Sequence, residues 1–240
     1  MKVHIVLQGK GGVGKSLVSS LIAQYKLNKS EEITCIDTDP VNASLSGYKA
    51  LNVKQLKLID DNDINSRSFD ALIDIIAKTN HDIIIDNGAS CFIPFSTYLI
   101  ENDIVELINN LGHEVIIHTI VTGGQAAADT LNGFVTLIQE YPEKCSFVVW
   151  LNPYWGSIEI NGKHFEDMQA YIVNKDRVSA IVRLPTLKKE TFGVDFENML
   201  NVKQTFDEAI ADSSLTIMNR QRLKMTQREI FNSMTAASII

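Results

Sequence analysis

Residues 9–16 read Gly-Lys-Gly-Gly-Val-Gly-Lys-Ser and fit the phosphate-binding pattern G-x-x-x-x-G-K-[ST]. The chemistry such a stretch can do is specific. Glycines let the backbone wrap an anion so that consecutive N–H groups of Gly11, Gly12, Val13 and Gly14 converge on it. A helix starting immediately afterwards adds the positive end of its dipole. Lys15 then reaches the β- and γ-phosphates, and the Ser16 hydroxyl is placed for Mg²⁺. The flanks are the ones this pattern requires. The apolar run Val3-His4-Ile5-Val6-Leu7 predicts a strand before the loop. Leu17, Val18, Leu21, Ile22 and Tyr25 predict a helix from Ser16 to Tyr25 after it.

Lys10 narrows the reading, because an ordinary phosphate loop has no need of a lysine there. The form K-G-G-x-G-K-[ST] resembles the deviant Walker A loop of the ParA/MinD superfamily of dimerising ATPases. The resemblance implies that Lys10 reaches across an ATP-dependent homodimer to the partner's nucleotide. A cation placed in advance on the transferred phosphoryl group does the work of an arginine finger.

Three acidic residues follow in the superfamily's order. Ile33-Thr34-Cys35-Ile36-Asp37 reads as a second strand running into Thr38-Asp39-Pro40-Val41-Asn42, similar to the D-x-D-P of switch I. By position, the resemblance gives Asp37 a share of the Mg²⁺ shell and Asp39 the orientation of the attacking water. Asp82-Ile83-Ile84-Ile85-Asp86 is a short apolar run suited to a central parallel strand. Asp86 matches the Walker B acid, a water-mediated Mg²⁺ partner. Hard Mg²⁺ keeps several waters and wants oxygen around them, so carboxylates suit these places. Asn87-Gly88-Ala89-Ser90 falls where switch II would be, with Asn-Gly where many relatives carry a proline. Two later strands, Phe147–Leu151 and Ala180–Leu184, lead into Asn152-Pro153 and Pro185-Thr186. The resemblance sets Asn152, Pro185 and Thr186 against adenine, and no N-K-x-D guanine-reading motif is present.

These residues need a scaffold of alternating strands and helices. Val115 to Val121 reads as a further strand, closed by Thr122-Gly123-Gly124-Gln125. Phe69, Leu72, Ile73 and Ile76 share helical spacing, as do Ile104, Leu107, Ile108 and Leu111 before Gly112, and Leu131, Phe134, Val135 and Ile138. The hydrophilic stretch from Asp60 to Ser68 reads as a surface loop. The expected fold is α/β, a mainly parallel doubly wound sheet of the P-loop NTPase type, with the nucleotide at the carboxyl ends of the strands. The 240 residues suit one domain spanning 1–240.

Composition sets the outer limits. No apolar run approaches the ~20 residues of a membrane span, and the chain starts directly on its first strand, so a cytoplasmic protein without a signal peptide is expected. Cys35, Cys91 and Cys145 are odd in number and lack metal-ligand spacing. A net charge of −7 argues against bulk nucleic-acid affinity but leaves room for a local patch. Arg220, Lys224 and Arg228 fall at i, i+4, i+8 on a C-terminal helix whose apolar stripe is Leu223, Ile230 and Met234. That basic stripe fits non-specific DNA or a membrane surface as partner, hence nucleoid or inner-membrane recruitment. It equally fits a solvated face of a helix docked on the core.

The resemblance narrows further in several stretches. His4 to Gln8, Cys35 to Ala43, Asp86 to Ser90, Val149 to Gly156 and Ser214 to Met218 are similar to plasmid conjugal transfer proteins. This implies a plasmid-transfer or partition-type protein partner. Trp150, Tyr154 and Trp155 read either as a partner surface or as packing at a strand end. Three functions stay open: a Mg²⁺-ATP dimer switch with slow hydrolysis, in which Lys10, Lys15 and Asp39 act; a nucleotide-binding scaffold with negligible hydrolysis; and a metabolic or redox relative of the same fold. The redox version needs paired cysteines at a dimer axis, and Cys91 has no second member.

Overall fold

The computed structural model describes residues 1–39, 41–56, 59–60, 63–64 and 66–240, with side chains outside 57–66. Pro40 of the D-x-D-P stretch lies outside the described residues.

Seven parallel strands form one sheet: β1 (Lys2–Val6), β2 (Ile33–Asp37), β3 (Lys54–Gln55), β4 (Asp82–Asp86), β5 (Glu114–Thr122), β6 (Ser146–Asn152) and β7 (Val178–Arg183). Their spatial order is β7-β6-β5-β1-β4-β2-β3. The order reverses around β1, where a doubly wound sheet opens a crevice at the carboxyl ends of its strands. Register brings the carboxyl ends of three strands level there. Val6 stands beside Asp86, and Asp86 beside Asp37.

Helices cover both faces, so the central strands are buried and largely apolar on both sides rather than alternating. On one face lie α2 (Asp70–Lys78), α3 (Phe92–Glu101), α4 (Ile104–Asn110) and α5 (Ala127–Glu140), packed on Val3, Ile5, Ile83, Ile85 and Ile117. The short α6 (Gln169–Ile172) follows a turn whose Phe165 packs edge-on against Phe134. On the other face lie α1 (Lys15–Asn28), α7 (Val194–Asn201), α8 (Phe206–Ala211) and α9 (Ile217–Ala237), over Val6, Ile84, Ile116, Val148 and Trp150. A capping box formed by Thr205 and Glu208 starts α8.

The expected strands all form, each within two residues at either end. The helix expected from Ser16 to Tyr25 runs from Lys15 to Asn28. The apolar stripe of α4 is rotated from the expected one. Ile104, Val105 and Ile108 are buried, while Leu107 and Leu111 are each 43% exposed. In the stretch expected as a surface loop from Asp60 to Ser68, the described residues carry regular backbone. Ile59–Asp60 pairs antiparallel with Asp63–Ile64, and Ser66–Phe69 makes a 3₁₀ turn into α2. Residues 61, 62 and 65 of that stretch lie outside the described residues.

A polar chain runs through the second face. Trp150 donates from Nε1 to His118 Nδ1 at 3.0 Å, and His118 Nε2 lies 2.9 Å from His4 Nδ1. The indole N–H makes His118 Nδ1 an acceptor, so neutral His118 carries its proton on Nε2 and donates to His4. His4 Nε2 then points toward Asp82, which also holds the buried Lys26 ammonium at 2.6 Å.

Candidate functional site

The phosphate loop bridges β1 and α1. Gly12 and Gly14 have φ of +74° and +104°, a region in which a side chain is strained. Gly14 is also the cap of α1, and the helix begins at Lys15. Gly11 and Gly12 are exposed and Val13 is buried. The loop is closed across its mouth by Lys15, whose Nζ donates to the Lys10 carbonyl at 3.0 Å. Burial lowers the Lys15 pKa, and Asp86 and Asp39 pull it back up.

Asp86 stands at the end of the central strand β4 and is buried. Its Oδ1 accepts from Ser19 Oγ at 2.9 Å, one turn beyond Lys15 on α1. Its Oδ2 is buried without a hydrogen-bond partner. Burial pushes its pKa up to about 6; the Ser16 hydroxyl opposes that, the Asp37 charge adds to it, and Ser19 and Lys15 oppose it. An orphaned carboxylate oxygen beside the loop serine is what a cation bound to phosphate would satisfy. Among the described residues no group of three or more His, Cys, Asp or Glu side chains could hold a metal ion. Ser16 plus one or two carboxylates, completed by phosphate and water, is a donor set that suits Mg²⁺.

Asp37 is buried and engaged with the segment that follows β2. Its Oδ1 accepts from the Asp39 N–H at 3.0 Å, and its Oδ2 from the Ser46 N–H at 2.9 Å and Ser46 Oγ at 3.1 Å. It thereby ties the end of β2 to Ser46. Asp39 Oδ1 accepts from the N–H groups of Val41 and Asn42. The segment after β2 is also stitched to the end of β4: Thr38 donates from its N–H and its hydroxyl to the Asp86 carbonyl. Gly88 answers what the Asn-Gly of this chain does. A Cβ there would meet Asp39 Cγ at 2.5 Å, so the glycine is the space into which the Asp39 carboxylate packs.

Asn152, at the end of β6, holds the phosphate loop. Its Nδ2 donates to the Val13 carbonyl at 2.9 Å, and its Oδ1 accepts from the Tyr154 N–H. Its amide oxygen and one N–H are therefore occupied by the protein. Pro185 and Thr186 lie one strand over, just past Leu184, whose N–H pairs with the Leu151 carbonyl. Trp150 is buried, as packing required, whereas Tyr154 and Trp155 are exposed and stacked edge-to-face at 4.9 Å.

Lys10 sits at the outer rim. Its ammonium pairs with Asp129 of α5 at 2.7 Å. Gln8, buried just before the loop, donates to the carbonyls of Ile120 and Thr130. Its side chain lies against Gly133, where a Cβ would clash at 2.3 Å. The site thus includes Gln8, Ser19 and Asp129, which the motifs do not mark, beside Gly88, which falls in the stretch matched to switch II. Ser19 alone carried a signal, standing four residues after Lys15 on the same helix face.

The basic stripe does not join this site. It lies on α9, whose Leu223, Ile230 and Met234 are buried against the core as expected. Lys224 and Arg228 are exposed and Arg220 is partly buried. The cysteines are all buried and unpaired, and burial pushes Cys35 and Cys145 up to about 12. No helix of the described residues is long and apolar enough to cross a membrane.

Comparison with known proteins places the chain. It is 56% identical to Protein TraL of Escherichia coli over 239 residues, an alignment covering 100% of this chain and 99% of the relative. The chain belongs to the TraL family. A second Protein TraL of the same species matches to the same extent. No protein-family model matches this TraL-family chain. Among solved structures, it superposes on the MinD cell division protein of Aquifex aeolicus with a TM-score of 0.51 at 15% identity, covering 97% of this chain and 98% of that one. A chain of the MinC:MinD cell division protein complex of Aquifex aeolicus gives 0.52 at 14% identity, covering 97% and 96%. At that identity the likeness is one of fold.

Proposed function

We propose that this TraL-family chain is a Mg²⁺-ATP-binding, slowly hydrolysing dimer switch that serves as an accessory protein in plasmid conjugal transfer. The observation that carries the reading is the orphaned Asp86 Oδ2 beside Ser16, at the foot of a loop whose Lys15 already spans the phosphate position. In this reading Gly11 to Ser16 hold the β- and γ-phosphates. Ser16 and Asp86 face Mg²⁺, with Asp37 behind them fixing switch I. Lys10 completes the partner's site, and Asp39 orients water. Pro185, Thr186 and the free N–H of Asn152 face adenine. Family membership and the MinD-like fold support the transfer role and the nucleotide respectively. A positioning task, with DNA or a transfer protein as cargo and Arg220, Lys224 and Arg228 as a DNA or membrane contact, extends the reading.

The test is solution mass by light scattering, apo, with Mg²⁺-ADP and with a slowly hydrolysed ATP analogue, beside Lys10→Ala and Lys15→Ala. A dimer formed only with the ATP analogue, and only with Lys10, bears out the switch. Lys15→Ala should lose tight nucleotide binding altogether; binding retained in that variant removes the loop from the site.

One observation favours a second reading. The Asp39 carboxylate is bonded to its own loop, at Val41 and Asn42, rather than held free toward the phosphates. A nucleotide-binding scaffold with negligible hydrolysis would look like this. Phosphate release, measured with and without the transfer machinery, separates the two.

A further inference from the structure

The segment following β6 grips the phosphate loop from outside at two consecutive peptide groups. Asn152 Nδ2 donates to the Val13 carbonyl at 2.9 Å, and Trp155 Nε1 donates to the Gly12 carbonyl at 3.4 Å. A trans peptide is planar, so its C=O and N–H point in opposite directions. Holding the Gly12 carbonyl toward Trp155 turns the Val13 N–H the other way. Holding the Val13 carbonyl toward Asn152 does the same for the Gly14 N–H. These are two of the N–H groups that such a loop offers to phosphate.

The grip is itself fixed. Pro153–Trp155 is a 3₁₀ turn capped by Asn152 Oδ1. Behind it, Gly123 and Gly124 allow the backbone of 155–157 to approach so closely that a Cβ would lie 2.3 Å from the Gly156 carbonyl oxygen and 2.6 Å from that of Trp155. Gly156 has φ +123°, which turns the chain away after the indole. An indole that is 55% exposed contributes little to the core. Its N–H, donating to a loop carbonyl, is the part with a structural consequence.

We propose that Trp155 is a positioning residue of the phosphate loop, its indole N–H presetting the Val13 N–H for the bound phosphate in concert with Asn152. The proposal rests on the nucleotide-binding reading above. Trp155 acts through the loop and does not touch the reacting atoms. Preorganised donors bind an anion without first being turned, so the loss of one is felt in affinity for phosphate.

The test compares wild type, Trp155→Phe and Trp155→Ala by calorimetric titration with Mg²⁺-ADP and with Mg²⁺-pyrophosphate, alongside thermal unfolding of each apo protein. Phe keeps a ring and removes only the donor. Both variants should bind both ligands about three- to fivefold more weakly, the worth of one modest hydrogen bond, with unfolding midpoints unchanged. Wild-type affinity in Trp155→Phe with a loss in Trp155→Ala would mean that the ring merely packs, and would overturn the proposal. Loss of Mg²⁺-ADP affinity without loss of pyrophosphate affinity would overturn it too. Failure of the wild type to bind either ligand would instead sink the nucleotide-binding reading, and this inference with it.

Discussion

The Lys10 ammonium is held 2.7 Å from Asp129 of its own chain. If Lys10 must reach a partner's nucleotide, that intramolecular pair competes with the dimer. The competition is mild. The two side chains are 45% and 56% exposed, and such pairs contribute ~0.2–1 kcal/mol. Each of the two protomers gives up one such pair on dimerising, so Asp129→Asn should shift ATP-analogue dimerisation to lower protein concentration by up to about thirtyfold. Mg²⁺-ADP binding by the monomer should not change. Sedimentation across a concentration series checks this, and an unmoved midpoint removes Asp129 from the switch.

Gly88 offers a second prediction. Adding one methyl there sets a carbon where the Asp39 carboxylate now lies. Either Asp39 swings out or the two switches part. Gly88→Ala should keep Mg²⁺-ADP binding, because the loop and Asp86 stay in place. Phosphate release should fall by about a hundredfold, as expected when a residue orienting the nucleophile is displaced. Hydrolysis at the wild-type rate would take Asp39 out of the chemistry. Overpacking of this kind also costs about 1–3 kcal/mol of stability, which urea unfolding would register.

How much of this was legible in the sequence depends on distance along the chain. β2 and β4 could be read because buried parallel strands are short apolar runs, and each ends at an aspartate that register sets level with the loop. Lys15, Ser16 and Asp86 belong to motifs whose spacing carries their chemistry. The α4 stripe was misread because helical periodicity allows neighbouring faces, and only packing on β5 selects Ile104, Val105 and Ile108. β3 escaped notice because two exposed residues, Lys54 and Gln55, leave no pattern. Asp129 could not be found at all, and Trp155 was visible only as one of an aromatic cluster, without its contact to the loop. Each meets the loop across more than a hundred residues, and nothing local marks an aspartate on a helix or a tryptophan in a turn. The task of Asn152 was hidden for the same reason: its partner is a backbone carbonyl, which has no residue type.

If Asp86 faces Mg²⁺ as proposed, metal-dependent binding is sensitive to pH. Its pKa is raised to about 6, chiefly by burial. A carboxylate serves Mg²⁺ only when ionised, so affinity for Mg²⁺-ADP should be level above pH 7. It should fall below pH 6 by up to about tenfold per unit. Removing Mg²⁺ with a chelator should abolish the pH dependence along with most of the affinity. Titrations at pH 5, 6 and 7 with and without Mg²⁺ decide it. A pH-independent Mg²⁺ effect would exclude Asp86 from the metal's surroundings.

The buried histidines predict how the apo protein loses stability in mild acid. His118 is lowered to about 3 and His4 well below its usual 6.5, both mainly by burial. Above pH 6.5 they are neutral in both folded and unfolded chains, and their packing and hydrogen bonds contribute in full. As pH falls below 6.5, the unfolded chain takes up two protons that the folded chain refuses. For His118 that costs about 1.4 kcal/mol per pH unit, and His4 adds to the loss in the same direction. Asp86 works in the opposite sense. Its folded pKa of about 6 exceeds the ordinary 3.8, so between those values the folded chain is the one that gains a proton, recovering about 1.4 kcal/mol per unit. Between pH 6 and 4.5 the gain at Asp86 offsets the loss at His118, and the loss at His4 remains. Asp86→Asn removes the compensation and should steepen the loss by about 1.4 kcal/mol per unit, with the curves converging in shape above pH 6.5. Asp82, whose pKa is lowered, adds its loss only below this window. Urea unfolding of nucleotide-free protein at half-unit steps from pH 7.5 to 4.5 reads both slopes. Equal slopes in wild type and variant would show that Asp86 is ionised in the folded apo protein throughout, and that its buried oxygen finds compensation from water.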